Sequence, residues 1–142
     1  MIKKLFIVLS FLVIFLHSIC VNAEGFKYIE VFDPKQDKVV KVVQSNPEIQ
    51  NTIASWIANL EGYKNDPATD DGYVIKIPLD PSARMKCMSL SALVSEVYIL
   101  IPENDPPCYL IFEDENKNKL SSFVFNGDID WLTNILDFKL KK

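Results

Sequence analysis

Asp114, Asn116 and Asn118 occupy the first, third and fifth positions of the D-x-[DN]-x-[DN] pattern that opens a calcium-binding loop. The pattern then fails. Its sixth position is Lys119 where a glycine is needed, its twelfth is Phe125 where a bidentate glutamate is needed, and Lys117 and Lys119 dilute the negative charge. A hairpin tip kept soluble by its charges accounts for the stretch. Asp66, Asp70 and Asp71 form a second acidic cluster with no base between its members, and Asx-turn chemistry accounts for it in preference to a cation. Ser82 stands four residues before Lys86, the spacing of a serine–lysine nucleophile, but without the apolar strand-to-helix setting that such a nucleophile requires. Paired carboxylates for glycoside hydrolysis could be drawn from any of 19 acids, so their number selects none. No catalytic residue, metal site or cofactor is assigned from these patterns.

The leading 23 residues narrow the chemistry further. Lys3 and Lys4 precede an apolar core from Leu5 to Leu16, and Val21-Asn22-Ala23 follows as a small-residue cleavage pattern. Residues 1–23 therefore read as a secretory signal peptide cut after Ala23, leaving residues 24–142 as one exported domain. Lipid anchoring through Cys20 is the first alternative; His17 and Ile19 depart from the residues that a lipobox places there. An uncleaved anchor is the second, and the core falls short of the ~20 residues a spanning helix needs. The expected location is outside the cell or at its envelope, without stable membrane insertion after cleavage.

Cleavage removes His17, the sole histidine, and with it every Ser-His-Asp, Cys-His and His-ligated zinc arrangement. It also removes Lys3 and Lys4, taking the basic residues from 15 to 13 against 19 acids, a net charge of −6. Nucleic acid is thereby excluded as a partner, because phosphate recognition needs clustered Lys and Arg, and the closing KLKK is a solvated tail. Of three cysteines, Cys87 and Cys108 remain, in a compartment where a disulfide persists. Bridged, they would close a loop of about 20 residues and contribute ~3 kcal/mol. Unbridged, they would be two small buried hydrophobes. Both arrangements stay open.

The elements that must position these residues follow from periodicity. FKYIEVFD (26–33) and KVVKVVQ (38–44) predict a hairpin turned by PKQD. Ser45 and Glu48 have capping-box spacing with Pro47 in the first turn. Ile49, Ile53, Trp56, Ile57 and Leu60 form one helical stripe, and Gly62 is placed for a left-handed cap. YVIKIP predicts a third strand stopped by Pro78 and Pro81, and residues 82–95 a loop with at most one helical turn. EVYILIP (96–102), CYLIFE (108–113) and LSSFVF (120–125) predict three more strands, the first two central. Asp128 should cap a closing helix whose apolar face holds Trp131, Leu132, Ile135, Leu136 and Phe138.

The order β-β-α-β-β-β-β-α implies an α+β fold, an antiparallel sheet of about five to six strands with two helices packed on one face as a two-layer sandwich. Alternation sets Tyr98 opposite Val97, Ile99 and Ile101, and Tyr109 opposite Leu110 and Phe112. A sheet covered on one side leaves one set on the open face, so Tyr98 and Tyr109 are the candidate binding residues. IKIPLDP and ILIPENDPPCYLIFEDENK, behind a lysine-started leader, resemble small exported uncharacterised proteins of low-GC Gram-positive endospore-forming bacteria. That resemblance implies a bacterial, exported protein and supplies no catalytic residue. The expected function is a secreted or envelope-associated, non-enzymatic binding domain for a protein or small ligand. The alternatives are an envelope hydrolase using carboxylates or a cation, and a self-associating surface or spore-coat component.

Overall fold

The computed structural model describes residues 27–113 and 118–140. Its elements are β1 (Tyr28–Asp33), β2 (Lys38–Gln44), α1 (Pro47–Ile57), β3 (Tyr73–Cys87), β4 (Leu90–Ile101), β5 (Cys108–Phe112), β6 (Leu120–Val124) and α2 (Ile129–Ile135). The strands form one antiparallel sheet in the order β2-β1-β3-β4-β5-β6. This is the α+β order that the periodicity predicts, with six strands and two helices.

The longest departure from expectation lies between residues 78 and 95. β3 runs through both prolines to Cys87, turns at Met88 and Ser89 and returns as β4, so the expected loop is a hairpin. Pairing is interrupted between Pro78, the last paired residue opposite Glu96, and Ala83, and Pro81, with no N–H to donate, falls in this bulge and leaves the ladder intact on either side. Beyond it, buried Met85, Cys87, Ala92 and Val94 alternate with exposed Arg84, Lys86, Ser91, Leu93 and Ser95, the period of two that a strand demands.

Helix α1 is built almost as its sequence dictates. Asn46, rather than Ser45, is the N-cap: its side chain accepts from the Ile49 N–H at 2.9 Å, and Pro47 takes the first helical position. Ser45 is drawn away because its N–H pairs with the Lys27 carbonyl. Gln50, one turn in, donates to the Pro78 carbonyl and the Ser45 hydroxyl and accepts from the Asp80 N–H, tying the helix start to the bulge of β3. The helix ends at Ile57 with Ala58 as its right-handed cap, so Gly62 does not terminate it. Gly62 instead joins Lys64 in pairing with β6: the Val124 N–H donates to the Gly62 carbonyl and the Lys64 N–H to that of Ser122. These two bonds satisfy part of an edge strand that would otherwise be open.

The main core contains Ile49, Ile53 and Ile57 of α1, Leu132 of α2 and Leu136, the C-cap of α2. Against them lie Ile29, Val31, Ile75, Ile77, Val97, Ile99, Tyr109, Ile111 and Phe123 from the strands and Met85, Cys87, Ala92 and Val94 from the far half of the hairpin. The strand face bearing these residues is called here the first face. A second cluster, Phe32, Val74, Tyr98, Leu100, Cys108 and Leu110, lies on the opposite, second face and includes no residue of either helix. Asp128 caps α2 as expected, accepting from the Trp131 N–H. A Cβ at Gly127 would meet the Trp56 ring at 2.5 Å, so only glycine lets the chain enter α2 past that indole. No helix among the described residues is long and apolar enough to cross a membrane.

Candidate functional site

Strand register arranges the second face in rows. One row reads Val39, Phe32, Val74, Leu100, Cys108, Val124 from β2 to β6 and is apolar throughout. The adjacent row reads Val42, Glu30, Lys76, Tyr98, Leu110, Ser122, so charge enters at its centre. Lys76 is 4 % exposed, and its ammonium lies 3.8 Å from a Glu96 carboxylate oxygen. The other oxygen of Glu96 accepts from the Tyr98 hydroxyl at 3.1 Å. Burial pushes the Tyr98 phenol well above its ordinary range, and the negative charge and hydrogen bond of Glu96, then Glu30, push it the same way. Tyr98 therefore remains a neutral donor at any physiological pH.

A buried lysine is costly unless it is paired, and its pairing here occupies the middle of an apolar strip. Such an arrangement can recognise shape and a hydrogen-bonding group together. Sequence reading passed over Lys76, Glu96 and Glu30, yet the signal is present: a single charge inside YVIKIP and inside YIEVF, at positions whose neighbours are apolar on both sides.

The two candidate tyrosines part company. Alternation placed each on the correct side of its own strand, but Ile99 pairs with Tyr109, and Tyr98 with Leu110, so the two rings lie on opposite faces. Tyr109 belongs to the main core, fully buried, and donates to the Asn126 side-chain oxygen at 2.7 Å. The amide nitrogen of Asn126 in turn donates to the carbonyls of Trp56 and Asn59, at the end of α1 and just beyond it. Trp56, Phe125, Trp131 and Tyr109 stack edge-on or tilted around this point. Tyr109 is thus a structural residue of the helix-to-sheet junction, and Tyr98 alone belongs to the second face.

The disulfide is ruled out by the same register. Cys87 pairs opposite Leu90 and Cys108 opposite Leu100, ten residues further along β4, which separates them by ~30 Å at ~3.3 Å per residue. They also occupy opposite faces, and both are free, buried thiols. Burial raises the pKa of each; for Cys108, where nearby Lys64 lowers it and Asp105 raises it, the result is about 11.

The remaining candidates do not assemble. Asp114, Asn116 and Lys117 lie outside the described residues, as does Cys20. Among the described residues no group of three or more Asp, Glu, Cys or His side chains could hold a metal ion. Asp71 accepts from the Glu103 N–H, a structural tie between two loops. A hollow of about 320 Å³ at the start of α1 is lined by Lys27, Ser45, Gln50, Asp80 and Pro81, and its Gln50 is committed to the β3 bulge. Glu113, beside β6, is pushed up by burial but held below the ordinary carboxylate range by hydrogen bonds from Lys119 and Ser121 and by the Lys119 charge.

No family model, curated protein or solved structure matches the chain. Its class is therefore defined by its own architecture: an antiparallel six-stranded α+β protein with a mixed apolar and ion-paired second face.

Proposed function

We propose that the protein is exported, that residues 1–23 are its leader, and that residues 24–142 act as a non-enzymatic binding domain outside the cell or at its envelope. The second face is the contact surface. The observation that carries this reading is the row Glu30, Lys76, Tyr98, Leu110 beside the apolar row Phe32, Val74, Leu100, Cys108, to which neither helix contributes a side chain. A partner suited to it is apolar with at least one hydrogen-bonding group, a protein segment or a small amphipathic ligand. Binding is favoured over hydrolysis because Lys76 and Tyr98 both engage Glu96, which leaves that carboxylate committed, and because Glu113 is held ionised.

Cosedimentation of residues 24–142 with isolated envelopes of the source cells tests this. Leu110→Arg is expected to lower retention at least tenfold, while Cys87 remains protected from thiol reagents and so reports an intact first face. Equal retention of Leu110→Arg, or turnover of envelope polymer by the domain, overturns the reading.

A further inference from the structure

Asn-Gly occurs once in the chain, at Asn126–Gly127, in the connection between β6 and α2. The fold requires both residues. Gly127 passes the Trp56 ring where a Cβ would stand 2.5 Å from Cδ2 and Cε3. Asn126 donates to the Trp56 carbonyl at 2.8 Å and the Asn59 carbonyl at 3.2 Å, and accepts from the Tyr109 hydroxyl at 2.7 Å. Two donated bonds and one accepted bond at one side-chain end are what an amide can supply and a carboxylate cannot. The same dipeptide is the one in which a side-chain amide is most open to attack by the following backbone nitrogen, because glycine has no Cβ to block the approach. The residues that close the junction are therefore also its most labile pair.

We propose that Asn126–Gly127 is a self-modifying latch: the closed junction protects the Asn126 amide, and when the end of α1 lifts from the sheet the amide is lost and the junction cannot close again. The reaction needs only water. The Gly127 nitrogen bonds to Asn126 Cγ, the Cγ–Nδ2 bond breaks, and ammonia leaves with the hydrogen from the Gly127 nitrogen. Water then opens the cyclic imide at either carbonyl, giving aspartate or an isoaspartate whose main chain runs through Cγ. In the native chain the carboxamide is held to Trp56, Asn59 and Tyr109, and the Trp56 ring is itself held edge-on by Phe125 at 5.6 Å and Trp131 at 5.5 Å. Turning Cγ toward the Gly127 nitrogen breaks those bonds, so the reaction waits on opening. Neither product refits. A carboxylate has no hydrogen to give, and its oxygen would face the two carbonyls that Nδ2 served. The isoaspartate adds a main-chain atom just before Gly127 and so displaces the glycine from its place beside the Trp56 ring. Nothing in this chemistry restores the amide, and an opening that reacts is permanent. The inference concerns the first face and stands whether or not the second face binds a partner.

Peptide mapping of the full chain at mildly alkaline pH, native and in concentrated urea, reads the conversion of each asparagine. In urea Asn126 should convert faster than any other, since no other asparagine precedes a glycine. In the native chain its conversion should be at least ~10-fold slower, and should accelerate as urea is raised toward the unfolding midpoint, as a reaction gated by opening does. Equal rates in the two states, or a native rate that urea leaves unchanged up to the midpoint, overturns the gate. The second half of the proposal is read at Cys87. Cys87 bridges to Leu60, whose N–H donates to the Lys86 carbonyl, one residue beyond the Asn59 carbonyl that Asn126 holds. Modified chains, separated by their added negative charge and returned from urea, should label at Cys87 with a thiol reagent at least ~10-fold faster than unmodified ones. Asn126→Asp, which makes one product directly, should do the same and unfold at a lower urea concentration than the parent. Labelling of Cys87 at the parental rate in the modified chains, or a parental midpoint for Asn126→Asp, overturns the latch.

Discussion

Tyr109 and Tyr98 lie one residue apart in cross-strand register, and each donates its hydroxyl to a side-chain oxygen, but the two bonds serve different ends. On the first face, Tyr109 holds Asn126, which accepts that one bond and satisfies two backbone carbonyls around the end of α1. These three bonds join helix to sheet. On the second face, Tyr98 holds Glu96 beside a buried Lys76, in a strip to which neither helix contributes. A polar network that joins elements is accounted for by folding; a buried ion pair amid an apolar row is not, because a hydrophobic replacement of equal volume would generally be as stable. The contrast points to the second face as the one shaped by something other than the fold.

The sharpest way to break this contrast uses adjacent residues of β4. Ile99 faces the main core and Leu100 the second cluster, and both are almost fully buried. Ile99→Ala should cost ~3–4 kcal/mol by urea unfolding, since Ile49, Ile53, Ile57 and Leu132 of the helices belong to its core cluster. Leu100→Ala should cost less, ~2 kcal/mol, because no helix residue belongs to its cluster and the flanking strand side chains can settle into the space. Equal losses at Ile99 and Leu100 would mean that the two faces are packed alike, and the contrast between them would fall.

Polar replacements give the next largest effect and separate the two networks. Asn126→Ala strands the Tyr109 hydroxyl and two backbone carbonyls and should cost ~2–3 kcal/mol. Lys76→Met leaves the Glu96 charge without Lys76 and should cost a similar ~3 kcal/mol, but the double change Lys76→Met with Glu96→Leu should recover most of it. No second substitution at Tyr109 should rescue Asn126→Ala, because the carbonyls remain unpaired. A double-mutant cycle at each site measures this, and failure of the Lys76 and Glu96 pair to recover would mean that their charges are needed for folding after all.

How much of this was legible in the sequence depends on whether a signal was local. The helical stripe of Ile49, Ile53 and Ile57 and the Asp128 cap arise within a few residues, and both were readable. The hairpin at residues 83–94 was not, although its alternation is regular, because Pro78 and Pro81 look like terminators unless a bulge absorbs them and because Met88, Leu90 and Leu93 mix the turn and the outer face into the pattern. Capping slipped by one residue since Ser45 and Asn46 are both competent and a strand bond from Ser45 to Lys27 settled the choice. Alternation gave the face of Tyr98 and of Tyr109 within each strand, but their relative face depends on register between strands. The distance from Cys87 to Cys108 depends on it too. Lys76 was visible as an isolated charge, and its partner Glu96, twenty residues on, was set by a bulge that no local pattern encodes.

Glu113 offers the smallest test and contrasts a half-exposed pair with the enclosed one. Its carboxylate is 6 % exposed and lies 2.8 Å from Lys119, whose side chain is 69 % exposed, whereas Lys76 and Glu96 are both enclosed. The folded-state pKa of Glu113 is lowered from 4.5, so the unfolded chain binds its proton more readily. Its contribution is therefore fully present above about pH 5 and is lost as pH falls through the lowered folded value. Glu113→Gln should reduce stability by ~1 kcal/mol at pH 7, and the gap between parent and variant should close as pH falls through the lowered folded value. Because Lys119 reaches into solvent, the gap at pH 7 should also shrink in ~1 M salt, where charges are screened within ~3 Å. The Lys76 cycle, shielded from solvent, should not respond to salt. Matching salt responses at the two pairs would show that Lys76 is as wet as Lys119, and the contrast between the enclosed and the half-exposed pair would fall.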